Sequence, residues 1–139
     1  MEKAEIQALI REAFAAQKFA YVPYSHFHVG AALRGKNGQV FRGCNIENAS
    51  YTPTNCAERT ALFKAVSEGV REFDAIAIVG SKVGETNTLV TGPCGVCRQA
   101  LYEFGGLELT VIMARSEADY IVTTLGDLLP YGFGPANLE

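Results

Sequence analysis

Phe73-Asp74-Ala75-Ile76-Ala77-Ile78-Val79 reads as a short apolar strand, and the order of the elements after it decides the fold. Cys94 to Phe104 has the pattern of a helix stopped by Gly105-Gly106, and Leu109 to Met113 is a second apolar strand. A strand, a helical crossover and a strand make the two strands parallel neighbours. Upstream, Val29 to Leu33 and Val40 to Cys44 flank Gly35-Lys36-Asn37-Gly38, whose Asn-Gly pair marks an antiparallel hairpin. Ile6, Leu9, Ile10, Ala13 and Phe14 fall at helical spacing and give a first amphipathic helix. Ala57 to Val66 is a run of good helix formers that stops near Gly69, and Thr124 caps a last short helix through Leu129, ended by Pro130. The order is helix, two strands, helix, strand, helix, strand, helix. It predicts an α/β fold, a three-layer α/β/α sandwich with a mixed sheet, in which ligands collect where strands end and helices begin.

The cysteines stand at two of those helix starts. Cys56-Ala57-Glu58 opens the second helix and Pro93-Cys94-Gly95-Val96-Cys97 opens the third, which supplies three thiolates and one carboxylate. Cys94 and Cys97, three apart, share a helix face. Residues two apart in mid-helix diverge, but a cap residue has non-helical dihedrals, so Cys56 and Glu58 converge on one ion. Thiols near positive helix ends have lowered pKa values, which favours metal binding. Three ligands leave zinc's fourth tetrahedral position open, and an open zinc site lowers the pKa of water from about 15.7 to about 7. Glu58 is then the proton carrier. A ligand two residues before a Glu, followed by a later P-C-x-x-C, is the established signature of zinc nucleobase deaminases.

Other readings of the same residues stand beside this one. A lone C-x-x-C also suits a redox pair or half of a structural zinc knuckle, and Cys44 as a fourth ligand would close the site with all four cysteines. Against closure, Gly43-Cys44-Asn45-Ile46 reads as the end of a strand, where a small buried thiol is ordinary. A disulfide framework is disfavoured, because no signal-peptide pattern is present and 139 residues bury a core without staples.

Composition bounds the function. Hydrophobic residues make up 48% of the 139-residue chain and charged residues 19%, which fits one compact domain over residues 1–139. No apolar run reaches the length of a membrane span and no targeting segment is recognisable, so a cytoplasmic protein without a membrane partner is expected. The net charge is −3 and lysines and arginines do not cluster, which argues against nucleic acid and for a small substrate.

Taken together, Pro23-Tyr24-Ser25-x-Phe27-x-Val29-Gly30-Ala31-Ala32, Gly43 to Ala49, Asn55 to Ala61, Pro93 to Gln99 and Leu128-Leu129-Pro130 resemble the small, homotetrameric cytidine deaminases over nearly the whole chain. The resemblance implies zinc-dependent hydrolysis of cytidine and deoxycytidine to uridine and deoxyuridine plus ammonia, in pyrimidine salvage, with one Zn2+ per chain. It implies a homotetramer with shared active sites and a small nucleoside as substrate. A deaminase of a cytosine-nucleoside antibiotic of the blasticidin type, and a non-catalytic zinc-stabilised domain, are the alternatives.

The matched positions carry roles by the same resemblance. Cys56, Cys94 and Cys97 correspond to the zinc ligands, Glu58 to the proton shuttle and Arg59 to the arginine that hydrogen-bonds the thiolates, with Arg98 a second candidate for that work. Compensation is needed, since three thiolates on a divalent ion leave net negative charge. Phe27 corresponds to the aromatic that packs on the pyrimidine, and Asn45 with Glu47, alternating on an extended segment, to the sugar clamp. Ala57 through its N–H and Gly92 through its carbonyl correspond to groups that hold the base, and Ala49, Tyr51 and Phe133 to residues that reach a neighbouring subunit's site. Gly92 stands where a hydroxyl residue is more usual, and the Val83 to Val90 connection, with Gly84 and Asn87, is longer than in the shortest members. His26 and His28 alternate away from Phe27 and read as loop or strand-surface residues.

Overall fold

The computed structural model describes residues 1–86 and 88–139; Asn87, which belongs to the long Val83 to Val90 connection, lies outside the described residues. The elements are α1 (Lys3–Gln17), β1 (Phe27–Gly35), β2 (Val40–Cys44), α2 (Ala57–Ser67), β3 (Phe73–Lys82), α3 (Gly95–Gly105), β4 (Thr110–Ala114), β5 (Tyr120–Thr124), α4 (Leu125–Leu128) and a 3-10 turn at Pro135–Leu138. One sheet runs in the order β2-β1-β3-β4-β5. β1 is antiparallel to both β2 and β3, β3 and β4 are parallel across α3, and β4 is antiparallel to β5. The sheet is therefore mixed, as expected, and the Asn37-Gly38 turn has the left-handed Gly38 (φ +90°) that such a hairpin needs.

Two apolar layers hold the helices. On one face Ile6, Leu9, Ile10 and Ala13 of α1 pack on Ala32, Ala77, Val79 and Ile112. On the other, Ala57, Ala61, Leu62 and Ala65 of α2 and Leu101 of α3 pack on Ala31, Leu33, Phe41, Ile76, Ile78 and Val111. Alternate residues of each strand point to opposite faces, so the central stretches 29–33, 75–79 and 111–114 are apolar and bury both. Arg34 secures α1 from the sheet, with Asp74 at 2.8 Å and Glu5 at 2.9 Å.

One element departs from the expected order. β5 follows β4 through a turn in which Arg115 pairs with Asp119 at 2.8 Å, and it forms the far edge of the sheet. Ile121 and Val122 remain exposed, so the strand lacks the in-and-out alternation that marks a half-buried one. Thr124 caps the last helix as expected; its hydroxyl accepts a hydrogen bond from Asp127 N.

Candidate active site

Cys56 and Cys94 are the N-cap residues of α2 and α3, each with extended dihedrals and neither capping its helix with its side chain. Both thiols are thereby free to face outward from the helix ends, where backbone N–H groups and the helix dipoles favour negative charge. Cys97 lies one turn into α3 and is buried. The three sulfurs lie within 4.8 Å of one another, and Cys56 Sγ and Cys94 Sγ are 3.7 Å apart. Zinc–sulfur bonds of about 2.3 Å in a tetrahedral site set neighbouring sulfurs about 3.8 Å apart, so the donor set and its spacing both fit zinc. Cys44, at the end of β2, is not part of this cluster, and all four cysteines are free thiols. The sulfur arrangement is therefore the open three-cysteine one.

Glu58 stands beside the sulfurs, 4% exposed. Burial pushes its carboxyl up to about 7; the Cys56 charge adds to this, while its own backbone N–H, Cys97 and Arg59 act the other way. A carboxyl poised near neutrality suits a group that both takes and gives protons. Hydrogen bonding from Cys97, then from Arg59 and Cys94, holds the Cys56 thiol down at about 5 against the opposing effect of burial. Cys97 moves the other way, because it shares its proton with Cys56 and is buried. We take the pair as one shared proton with the thiolate on Cys56, since Arg59 Nη2 donates to Cys56 Sγ at 3.4 Å. The Nε of Arg59 is buried with no partner among the described residues. Arg98, in contrast, is spent elsewhere: Nε donates to the Pro93 carbonyl and Nη1 to the Leu128 carbonyl, each at 2.7 Å, so it ties the start of α3 to the end of α4 and does not serve the thiolates.

Phe27, Asn45 and Glu47 form one hydrogen-bonded unit. Asn45 Nδ2 donates to the Phe27 carbonyl at 2.9 Å and its Oδ1 accepts from Val29 N at 2.8 Å, which welds the segment after β2 onto the start of β1. Glu47 accepts from the N–H groups of Tyr24 and Ser25, at 2.9 and 3.1 Å, and from the Ser25 hydroxyl. That hydroxyl in turn accepts from Phe27 N at 3.0 Å. These bonds, led by the one from Ser25, hold the Glu47 carboxyl below its ordinary range. Ser25 is the member to which residue pattern alone assigns no role; its signal is the Pro-Tyr-Ser turn immediately before a strand.

The other candidates lie at the edges of this arrangement. Ala57 is fully buried at the first position of α2, and Gly92 is exposed just before Pro93. Ala49 is exposed, as are Tyr51 (74%) and Phe133 (59%), although Tyr51 meets Tyr24 edge-on at 6.4 Å and the Phe133 carbonyl accepts from Gln99 Nε2 of α3 at 2.7 Å. Within one chain these aromatics lie on the surface. His28 Nε2 is 3.1 Å from Ser81 Oγ, and His26 is a loop residue with φ +56°.

The sequence model described as the cytidine and deoxycytidylate deaminase zinc-binding region matches residues 3–114. A cytidine deaminase of Sporosarcina psychrophila is 46% identical over 135 residues, 97% of this chain and 96% of that one. The crystal structure of a cytidine deaminase from Burkholderia pseudomallei superposes with a TM-score of 0.82 at 52% identity, covering 91% of this chain and 97% of the other. A blasticidin-S deaminase of Bacillus cereus is more distant, 32% identical over 106 residues and covering 74% of each chain. With three clustered cysteines at two helix starts and a buried glutamate against them, this chain belongs to the cytidine and deoxycytidylate deaminase family.

Proposed function

We infer that the protein is a zinc-dependent hydrolase that converts cytidine and deoxycytidine, with water, to uridine and deoxyuridine and ammonia, in pyrimidine salvage. The single observation that carries this reading is the buried Glu58 carboxyl set against the Cys56, Cys94 and Cys97 sulfurs. Those cysteines hold the zinc, whose Lewis acidity makes water a nucleophile at neutral pH. Glu58 takes the proton that the attacking water loses and passes it to N3 of the ring; it then takes the proton of the hydroxyl added at C4 and delivers it to the departing amino group, which leaves ammonia and a C4 carbonyl. Arg59 offsets the negative charge of three thiolates through its contact with Cys56.

Substrate is held by the unit that Phe27, Asn45 and Glu47 form. Phe27 packs on the pyrimidine, and Asn45 and Glu47 meet the sugar hydroxyls with the hydrogen-bonding capacity that their internal bonds leave over. The Ala57 N–H and the Gly92 carbonyl hold the base. Ala49, Tyr51 and Phe133 complete the site of a neighbouring subunit in a homotetramer, a role supported by their exposure in the single chain. Residues 1–139 act as one domain, supported by the single sheet that all helices serve. The cytoplasm is the expected compartment: no helix among the described residues is long and apolar enough to cross a membrane, and the four thiols are free. A small nucleoside, rather than nucleic acid, suits a chain of net charge −3.

The test is release of ammonia and appearance of uridine from cytidine by the zinc-replete protein, run in parallel with blasticidin S. Turnover of cytidine with little or none of the antibiotic is expected. Turnover of the antibiotic alone would move the assignment to the second substrate, and turnover of neither would leave a zinc-stabilised domain without this activity.

A further inference from the structure

Gly80 of β3 has no left-handed backbone to account for it; what it lacks is a side chain. In the antiparallel register Val29 pairs with Gly80 and Phe27 with Lys82. Positions 27, 29 and 80 therefore share the sheet face on which Phe27 and Val29 join the α2–α3 core. The space that a side chain at 80 would fill is already taken. A Cβ there would lie 2.5 Å from Thr91 Oγ1, 3.0 Å from Thr91 Cγ2 and 3.1 Å from Cε1 of the Phe27 ring. Thr91, just before Gly92 and Pro93, is held in that space by a hydrogen bond of 3.3 Å from its hydroxyl to the Gly80 carbonyl. The long connection that ends at Thr91 thus returns over bare backbone, and the ring edge of Phe27 closes on the same spot.

We propose that Gly80 is a positioning residue for substrate: its missing side chain lets Thr91 and Phe27 meet over β3 and so sets the aromatic ring against which the pyrimidine packs. The proposal rests on the reading of Phe27 as the base-stacking residue. Any β-carbon at 80 displaces the ring edge or Thr91, and neither Glu58 nor a cysteine is among the atoms that it meets. The effect belongs to substrate binding, at about the low end of what a stacked base contributes.

The test is a double-mutant cycle on zinc-replete enzyme, with KM, kcat and zinc per chain measured for Gly80→Ala, Phe27→Ala and the pair. We expect Gly80→Ala to raise KM for cytidine about fivefold with kcat within about twofold and zinc unchanged. In the Phe27→Ala background the same substitution should move KM less than about twofold, because the ring it acts through is gone. An unchanged KM in Gly80→Ala, a fall in kcat as large as the rise in KM, or the same factor in both backgrounds overturns the proposal and leaves the role of Phe27 intact. A wild-type KM in Phe27→Ala itself overturns both. Should Gly80→Ala fail to fold, Gly80→Ala/Thr91→Ala removes the two atoms nearest the new carbon, and the same cycle is run against Thr91→Ala.

Discussion

A Cβ on Gly43 would lie 2.3 Å from the carbonyl oxygen of Ala57. Strand β2 and the first turn of α2 thus touch backbone to backbone, and the next contacts, Ala61 N at 2.5 Å and Ala61 Cα at 3.0 Å, continue along the helix. Cys56 and Glu58 flank Ala57, so the depth at which α2 sits on the sheet is also the depth at which a metal ligand and the buried carboxyl sit.

Gly43→Ala should therefore act on the site through the helix. The colliding atoms are backbone and have no rotamer to escape into, so α2 must move outward at a cost of about 1–3 kcal/mol. A lower melting temperature together with less than one zinc per chain is the expected outcome. Wild-type values of both would show that the close approach of Gly43 to Ala57 does not set the depth of α2.

Glu58→Gln removes the proton carrier and leaves the sulfurs in place. Turnover should fall by at least about two orders of magnitude while fold and zinc content persist. Near wild-type turnover in a metal-replete preparation would sink the assignment of Glu58.

Two cysteine substitutions separate an open site from a closed one. Cys44→Ser should keep one zinc per chain and most activity, because Cys44 lies outside the sulfur cluster. Cys94→Ser should lose the metal, since it takes one of three ligands. Metal analysis decides: equal zinc loss in both variants would mean that Cys44 is a ligand after all.

Asn45→Ala breaks the two bonds that hold the Phe27 carbonyl and the Val29 N–H. Part-buried backbone groups left without partners cost about 1–3 kcal/mol, and the ring of Phe27 loses its anchor. A rise in KM for cytidine with lowered thermal stability is expected. If Asn45→Ala changes stability but not KM, the residue serves the strand alone.

Mixed oligomers test the shared site. Glu58→Gln and Phe133→Ala lie in different halves of a composite site if the exposed Phe133 completes a neighbour's pocket. Co-expressed with different tags, and provided Phe133→Ala is impaired but still assembles, the pair should show more activity than the sum of the separate variants. No gain in verified mixed oligomers would confine Phe133 to its own chain.

Legibility in the residues differs from place to place along the chain. The apolar runs of β3 and β4, the Asn-Gly hairpin and the cysteines at two helix starts are local patterns of period, turn chemistry and cap position, and each stands in the fold where its pattern lies. β5 escapes such reading because an edge strand with Ile121 and Val122 exposed carries no alternation; its pairing with β4 makes it a strand. Arg98 departs from expectation for a similar reason. Its guanidinium takes the nearest acceptors, the Pro93 carbonyl and the Leu128 carbonyl, and the second of these is thirty residues away in sequence.

The sequence alone determined which groups the site has at its disposal, because three thiols and a carboxyl at helix starts are set by residue type and local spacing. The tertiary structure alone decided which of them meet. Cys56 and Cys94 are thirty-eight residues apart and come to 3.7 Å only because α2 and α3 lie on the same face of one sheet. The exclusion of Cys44 and the joining of Phe27 to Asn45 and Glu47 through Ser25 have the same cause. Distances of this kind arise from packing between elements, a long-range property that no local pattern encodes.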